Sequence, residues 1–183
     1  MKQKFERNNN QTVNNLIIRP EESRDYLPIT EVNNLAFGRN NEAILIEKIR
    51  NSNKYIPKLS LVAELDNKTI GYIMFSHIDL IGEKVTKVLS LAPIAILPQY
   101  QNRGMGSLLV EAGLKIAENT ASPMVIVLGD CKFYSRFGFK PAIDYGIQSD
   151  FNVPDEAFMV RLLTKNNKNY SGKIKYPSAF NNV

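Results

Sequence analysis

Between Val88 and Leu114 the chain reads VLSLAPIAILPQYQNRGMGSLLVEAGL, and this stretch narrows the possible folds more than any other. Val88 to Leu97 is an apolar, β-prone run that stops at Pro98. A polar linker follows, and then Gln101-Asn102-Arg103-Gly104-Met105-Gly106 opens an amphipathic helix expected over Ser107 to Ala121. Met105, Leu109, Ala112 and Ile116 recur on one side of that helix, while Ser107, Glu111, Lys115 and Glu118 line the other. Strand, glycine loop and helix together make an anion site, for three backbone reasons. Unpaired N–H groups crowd the first helical turn, the macrodipole places partial positive charge there, and glycine lets a phosphate approach closely. Arg103 adds a full charge to the same place.

Other phosphate loops do not fit the text. A dinucleotide-binding loop needs a third glycine at position 109, which is leucine, and would follow its strand without an intervening proline. A P-loop needs a Lys-Ser or Lys-Thr pair that is missing here. Two glycines also serve as plain helix-start punctuation, so the loop has to be weighed with its surroundings.

Upstream, Leu16 to Pro20 reads as a first strand behind an asparagine-rich leader, residues 1–15. Asp25 to Phe37 has helical spacing closed by Gly38, and a second helix should run from about Asn41, with Ala43, Ile44, Ile46 and Ile49 on its buried side. The joint between them, Phe37 to Glu42, is expected to flank a site and, with the 77–84 region and the segment Tyr145 to Pro154, to set what that site accepts. Ser60 to Leu65 and Thr69 to Leu80 alternate as strands around the tight turn Asp66-Asn67-Lys68, and a second turn, Ile81 to Lys84, leads into the strand ending at Leu97. Three antiparallel strands in sequence make a meander.

Downstream, Met124 to Leu128 is a continuous apolar run, typical of a central strand covered on both faces. A helix joins it to the strand before, so the two should run parallel. A short helix over Lys132 to Phe137 is stopped by Gly138, an extended piece begins at Phe139, and Ala157 to Leu163 closes the sheet. Residues 16–164 thus read as one domain, and 165–183 as a polar tail lying on the surface. A chain of 183 residues with 44% hydrophobic content can bury a proper core of that size.

The order β-α-α-β-β-β-α-β-α-β, with the glycine loop after the fourth strand, resembles the GCN5-related N-acetyltransferase (GNAT) family. That family's hallmark is a strand, then Gln or Arg, two residues, Gly, one residue, and Gly or Ala, which is Gln101 to Gly106 here. EVNNLAFGRNNEA, LSLVAELD, LGDCKFYSRFGFKPA and PDEAFMV extend the likeness to the YhbS-like branch over about residues 16–163. The resemblance implies the α/β (α+β) acyl-CoA N-acyltransferase fold, with a mixed, mostly antiparallel sheet whose fourth and fifth strands splay apart. It implies acetyl-CoA as co-substrate, transfer of the acetyl group directly to an amine in a ternary complex, and a small-molecule or peptide acceptor.

Mapped onto this chain, the backbone of Ile94, Ala95 and Ile96 would pair with the pantetheine arm, and the Ile94 amide would polarise the thioester carbonyl. Gln101, Asn102, Arg103, Gly104, Met105, Gly106 and Ser107 would hold the pyrophosphate. Tyr134 matches the family's general-acid tyrosine, and a phenol near 10 is suited to donating a proton to a thiolate whose thiol titrates near 8.5. The base is less defined. His77, the only histidine, titrates in the right range; Glu64, Asp79, Asp130 or a water chain are the competitors. Cys131 precedes the catalytic helix and raises the option of a thiol-acyl intermediate, which direct transfer does not need. One departure stands out: where many relatives place an asparagine near the end of the fifth strand, this chain has Val127, Gly129 and Asp130.

No metal is implied, because one His and one Cys far apart do not form a ligand cluster. The net charge of +5 is partly due to tail lysines, and no dense basic patch interleaved with aromatics argues for nucleic acid. No run reaches the roughly 18 apolar residues of a membrane helix, and the N-terminus lacks a signal-peptide core, so a cytoplasmic enzyme is expected, with a homodimer as one admissible assembly. The alternative reading is a module of the same fold that binds or senses acyl-CoA without turnover.

Overall fold

The computed structural model describes residues 3–4, 15–163 and 170–181. The leader expected over 1–15 falls outside these, apart from residue 15 and the pair Gln3–Lys4, whose backbone pairs with Ile18 and Ile17. Six strands lie side by side in chain order: β1 (Leu16–Pro20), β2 (Ser60–Leu65), β3 (Lys68–Ile81), β4 (Val85–Ile96), β5 (Met124–Leu128) and β6 (Phe158–Leu162). All neighbours are antiparallel except β4 and β5, which run parallel. The β2–β3 hairpin closes through Asp66 and Asn67 at φ 49° and 62°, the left-handed pair that a two-residue turn requires and that Asp and Asn tolerate.

Four helices accompany the sheet: α1 (Tyr26–Phe37), α2 (Asn41–Arg50), α3 (Met105–Ala117) and α4 (Cys131–Tyr134), the last continued by a 3-10 turn to Phe137. Helix α3 starts two residues before the expected Ser107 and ends four before Ala121. At its end the Asn119 side chain donates to the Lys115 carbonyl (2.8 Å) and the Thr120 hydroxyl to the Ala117 carbonyl (2.7 Å). Such short polar side chains compete for backbone groups and unwind the last turn. The period-2 pattern separates two apolar clusters. Phe75, Leu89 and Val125 pack with Leu109, Val110 and Leu114 of α3, whereas Met74, Val88 and Ile126 pack with Leu45, Ile46 and Ile49 of α2. Gly113 is where α3 meets the sheet most closely, since a Cβ there would overlap the Phe75 ring.

Residues 165–183 were expected to lie on the surface as a polar tail. Instead, β7 (Gly172–Lys175) pairs with Asp79, Leu80 and Ile81 of β3, beyond the point where β2 ends, and in parallel with Ile147–Gln148. Ile174 is fully buried and Phe180 nearly so. Three widely spaced apolar residues, Ile174, Tyr176 and Phe180, anchor this stretch. Low average hydrophobicity does not prevent docking when the few apolar side chains fall on positions that face the sheet.

The feature that positions the site is the parting of β4 from β5. Their parallel pairing covers only Leu89 with Val125 and Ser90 with Ile126. Beyond Ser90 the strands diverge. On its other side β4 slips by one residue, so that Ile73 faces Ile94 while Phe75 faces Leu91. This bulge contains Ala92 and Pro93, and proline has no N–H to give to a ladder.

Candidate active site

The edge of β4 from Leu91 to Ile96 therefore has β3 on one side and an open cleft on the other. At its far end the Gln101 side chain donates to the Ile96 carbonyl at 3.0 Å, which ties the glycine loop to the strand. The loop then folds back through two left-handed residues, Asn102 (φ 57°) and Gly104 (φ 83°). Successive turns of this kind aim consecutive backbone N–H groups into one concavity. The Leu108 amide is the first in α3 to bond back, to the Gly104 carbonyl, so the first-turn amides of Met105, Gly106 and Ser107 point out of the helix end. Gly106 faces the ring of Phe133 and Ile94 at ordinary contact distance, 3.6 and 4.0 Å from where a Cβ would sit. Arg103 is exposed beside this concavity, 6.0 Å from the centre of the Tyr100 ring.

Tyr134 stands at the other side of the cleft. Its ring is held edge-on by Phe133 and Phe139, with centroids 5.0 and 5.7 Å away. Gly129 lies beneath it: a Cβ there would come within 2.5 Å of the ring. Asp130 caps α4 by accepting from the Lys132 amide at 2.8 Å. Burial, reinforced by the Asp130 charge, pushes the Tyr134 phenol up to about 12. The hydroxyl therefore stays protonated throughout the physiological range.

Ser90 to Ile94 and Tyr134 line a single cavity of about 460 Å³. Its remaining walls come from distant parts of the chain: Phe37, Arg39, Glu42 and Leu45 at the α1–α2 joint, Leu128, Phe151 and Val153, and Tyr176 and Phe180 from the C-terminal stretch. The joint was anticipated as a flank. Phe151, Tyr176 and Phe180 stack in a row, 4.7 and 4.9 Å between successive rings, and Tyr176 lines the cavity together with Ser90, where β4 and β5 part. Tyr176 and Phe180 were missed because the tail was read as surface. Their signal was aromatic residues at spacing 176 and 180 in a polar stretch, which alone does not say what they pack on.

The base candidates read from the sequence fare differently. His77 is half-buried on β3 and is not among the residues lining the cavity. Burial and the charges of Lys87 and Lys54 hold its pKa below the ordinary value. Glu64 is buried in an ion pair with Arg19, which also holds Asp25 at 2.6 Å. Asp79 pairs with Lys54 at 3.0 Å, and Asp130 is the α4 cap. The carboxylate that does reach the cavity is Glu42, 3% exposed, accepting from Arg39 Nε at 3.0 and 3.2 Å and from its Nη2. Sequence reasoning passed over it because a Glu in the first turn of a helix is an ordinary dipole partner. Cys131 is half-buried and free. No group of three or more metal-ligating side chains occurs among the described residues.

A family model described as an acetyltransferase (GNAT) domain matches residues 57–141. The uncharacterized N-acetyltransferase YjhQ of Escherichia coli (strain K12) is 31% identical over 169 residues, covering 90% of this chain and 93% of that protein. The chain belongs to the GNAT acetyltransferase family. YhbS of the same strain, also an uncharacterized N-acetyltransferase, is 32% identical over 91% of this chain and 99% of its own length. Among solved structures, Escherichia coli YhbS in complex with CoA superposes with a TM-score of 0.82, at 30% identity over 91% of this chain and 92% of that one. A GNAT acetyltransferase from Brucella melitensis in complex with acetyl-CoA gives 0.74, at 27% identity over 91% and 98%. The parted β4 and β5 are thus the GNAT arrangement anticipated from the sequence, and no helix among the described residues is long and apolar enough to cross a membrane.

Proposed function

We propose that this GNAT chain transfers the acetyl group of acetyl-CoA directly to an amine. The observation that carries the reading is that one open strand edge shares, at Ile94, a cavity with a protonated, buried phenol and meets a helix-start concavity through Gln101 and Gly106. When bound, acetyl-CoA supplies a thioester whose carbonyl carbon the neutral amine attacks; the C–S bond breaks, and the proton shed by the nitrogen replaces the one that Tyr134 gives to the sulfur. The residues present fit that co-substrate. Ile94, Ala95 and Ile96 offer backbone to an extended arm as an added strand would be offered it. The amide of Ile94 would polarise the thioester carbonyl, and donors fixed in advance at a developing charge are worth several kcal/mol in a site shielded from water. Asn102 to Ser107 and Arg103 would hold the diphosphate, with Gln101 acting through the Ile96 carbonyl to fix the loop. Arg136, stacked 4.7 Å over the Phe133 ring that abuts Gly106, would add a second positive charge at the same mouth.

Tyr134 would protonate the departing sulfur. Its raised pKa keeps the proton available, and its packing against Gly129, Phe133 and Phe139 fixes the ring. We assign no base role to His77, which stands apart from the cavity. The proposed catalytic unit is residues 16–164 together with the C-terminal stretch that completes the cavity wall, working in the cytoplasm, where its donor would be at hand.

Calorimetric titration with acetyl-CoA followed by thiol release in the presence of primary amines tests the reading. Saturable binding and amine-dependent thiol release are expected. Binding without release for any amine would support a sensing module instead, and absence of binding would remove both.

A further inference from the structure

The cavity has a composition that discriminates among amines. Its body is apolar and aromatic, formed by Phe37, Leu91, Phe151, Tyr176 and Phe180. Apart from Arg39 and Glu42, the only polar side chains among its described lining residues are the hydroxyls of Ser90, Tyr134 and Tyr176. Glu42 is the one carboxylate among the lining residues, and it is buried. Arg39 grips it from the rim with a half-exposed guanidinium. A buried carboxylate has about four lone-pair sites, so bonds from Arg39 leave capacity for a further donor.

We propose that the acceptor is a primary monoamine carried on an apolar, ring-sized body, and that Glu42 receives its ammonium. This rests on the acetyl-transfer reading and narrows it. The ammonium gains a desolvated opposite charge, while the ring row of Phe151, Tyr176 and Phe180 takes the body, whose apolar surface is removed from water. The competing acceptors fit poorly. A polyamine would bring further cations to a cavity whose only other fully charged lining group is Arg39. A peptide would bury backbone N–H and C=O groups with few partners, and unpaired polar groups are expensive to bury. Glu42 thus acts as a specificity-determining residue, distinct from the groups that hold the donor.

The test uses the full chain without acetyl-CoA and with CoA present, titrated with 2-phenylethylamine and with its neutral counterpart 2-phenylethanol. Wild type is expected to bind the amine at least about tenfold more tightly than the alcohol, the range typical of one charge-assisted contact. Glu42→Gln should abolish that preference while leaving the alcohol's affinity unchanged. A purely structural role for Glu42 would weaken both ligands together. Spermidine and a tripeptide with a free N-terminus should each bind at least about tenfold more weakly than 2-phenylethylamine. Equal binding of amine and alcohol by wild type, retention of the preference in Glu42→Gln, tighter binding of spermidine or the tripeptide, or no binding of 2-phenylethylamine under either condition would each overturn the proposal. If Glu42→Gln fails to fold, the wild-type series decides by itself. Acetyl-CoA titration and thiol release with other amines report separately on acetyl transfer, so an enzyme that prefers polyamines would sink this inference and leave that reading standing.

Discussion

Along the donor edge, the groups proposed to hold acetyl-CoA lie in one run, Ile94 to Ser107, and act mainly through backbone: an open strand edge, two left-handed turns and the first-turn amides of α3. The cavity proposed for the acceptor is assembled differently. Its walls come from the α1–α2 joint, β4, the 151–153 segment and residues 176–180, and they act through side chains. A backbone site depends on conformation and tolerates many side chains, whereas a side-chain site is re-shaped by single substitutions. On the proposed reading, donor binding depends on backbone that the fold itself fixes, and acceptor choice on side chains that single substitutions can alter. The two meet at Tyr134.

The sharpest way to break that division is Tyr134→Phe. Removing the proton donor while retaining the ring should lower kcat by about 10²-fold, in the range of general acid catalysis, with acetyl-CoA affinity unchanged in a calorimetric titration. Parallel losses in kcat and affinity would mean that Tyr134 belongs to the donor edge and not to the junction. Next in size is Gly104→Val. A β-branched residue at φ 83° is strained, although nothing lies within 4 Å of its Cβ, so the effect should come through the turn itself. Acetyl-CoA affinity should fall about tenfold and thermal stability by about 1–2 kcal/mol, with amine binding to the free protein unaffected.

Phe151→Ala sharpens the comparison from the other side. This residue is 40% exposed and stacks on Tyr176, so truncation should raise the acceptor KM about three- to tenfold and leave acetyl-CoA binding as it was. Arg103→Ala should weaken acetyl-CoA by about threefold, and the difference should shrink as salt is raised, because the guanidinium is exposed and screened. The smallest effect is confined to alkaline pH. Tyr134 is protonated in the folded chain up to about 12 but titrates near 10 when unfolded. Its folded state thus holds a proton that the unfolded state has lost, and stability intact below pH 10 declines as pH rises toward 12. Melting curves across that window should show wild type losing ground relative to Tyr134→Phe.

Legibility in the sequence followed the same division. The strand, glycine loop and helix start were readable because their determinants are local: a β run ended by Pro98 and two glycines spaced for a helix start; the hairpin turn at Asp66-Asn67 was legible for the same reason. The parallel relation of β4 and β5 followed from the helix between them. The cavity was legible only in part: the Phe37–Glu42 joint and, from the 145–154 segment, Phe151 and Val153 line it, the 77–84 region does not, and its C-terminal wall was hidden because that wall lies far along the chain. Tyr176 and Phe180 sit in a segment whose asparagines and lysines dominate its composition, and only the pairing of β7 with β3 explains their position. Glu42 looked like a helix-start carboxylate, and its burial against Arg39 depends on how α1 and α2 close over the sheet. His77 drew attention as the only histidine, yet side-chain chemistry without location was a poor guide.

The most direct test is an initial-rate grid of thiol release in which acetyl-CoA and 2-phenylethylamine are varied together. Two sites that meet at Tyr134 predict a saturable rate that needs both substrates, with double-reciprocal lines that intersect, as direct transfer in a ternary complex requires. Parallel lines would instead point to an acyl-enzyme, with Cys131 as its first suspect; a rate indifferent to 2-phenylethylamine would sink the acceptor assignment, and a rate indifferent also to a panel of other primary amines would contradict the account altogether.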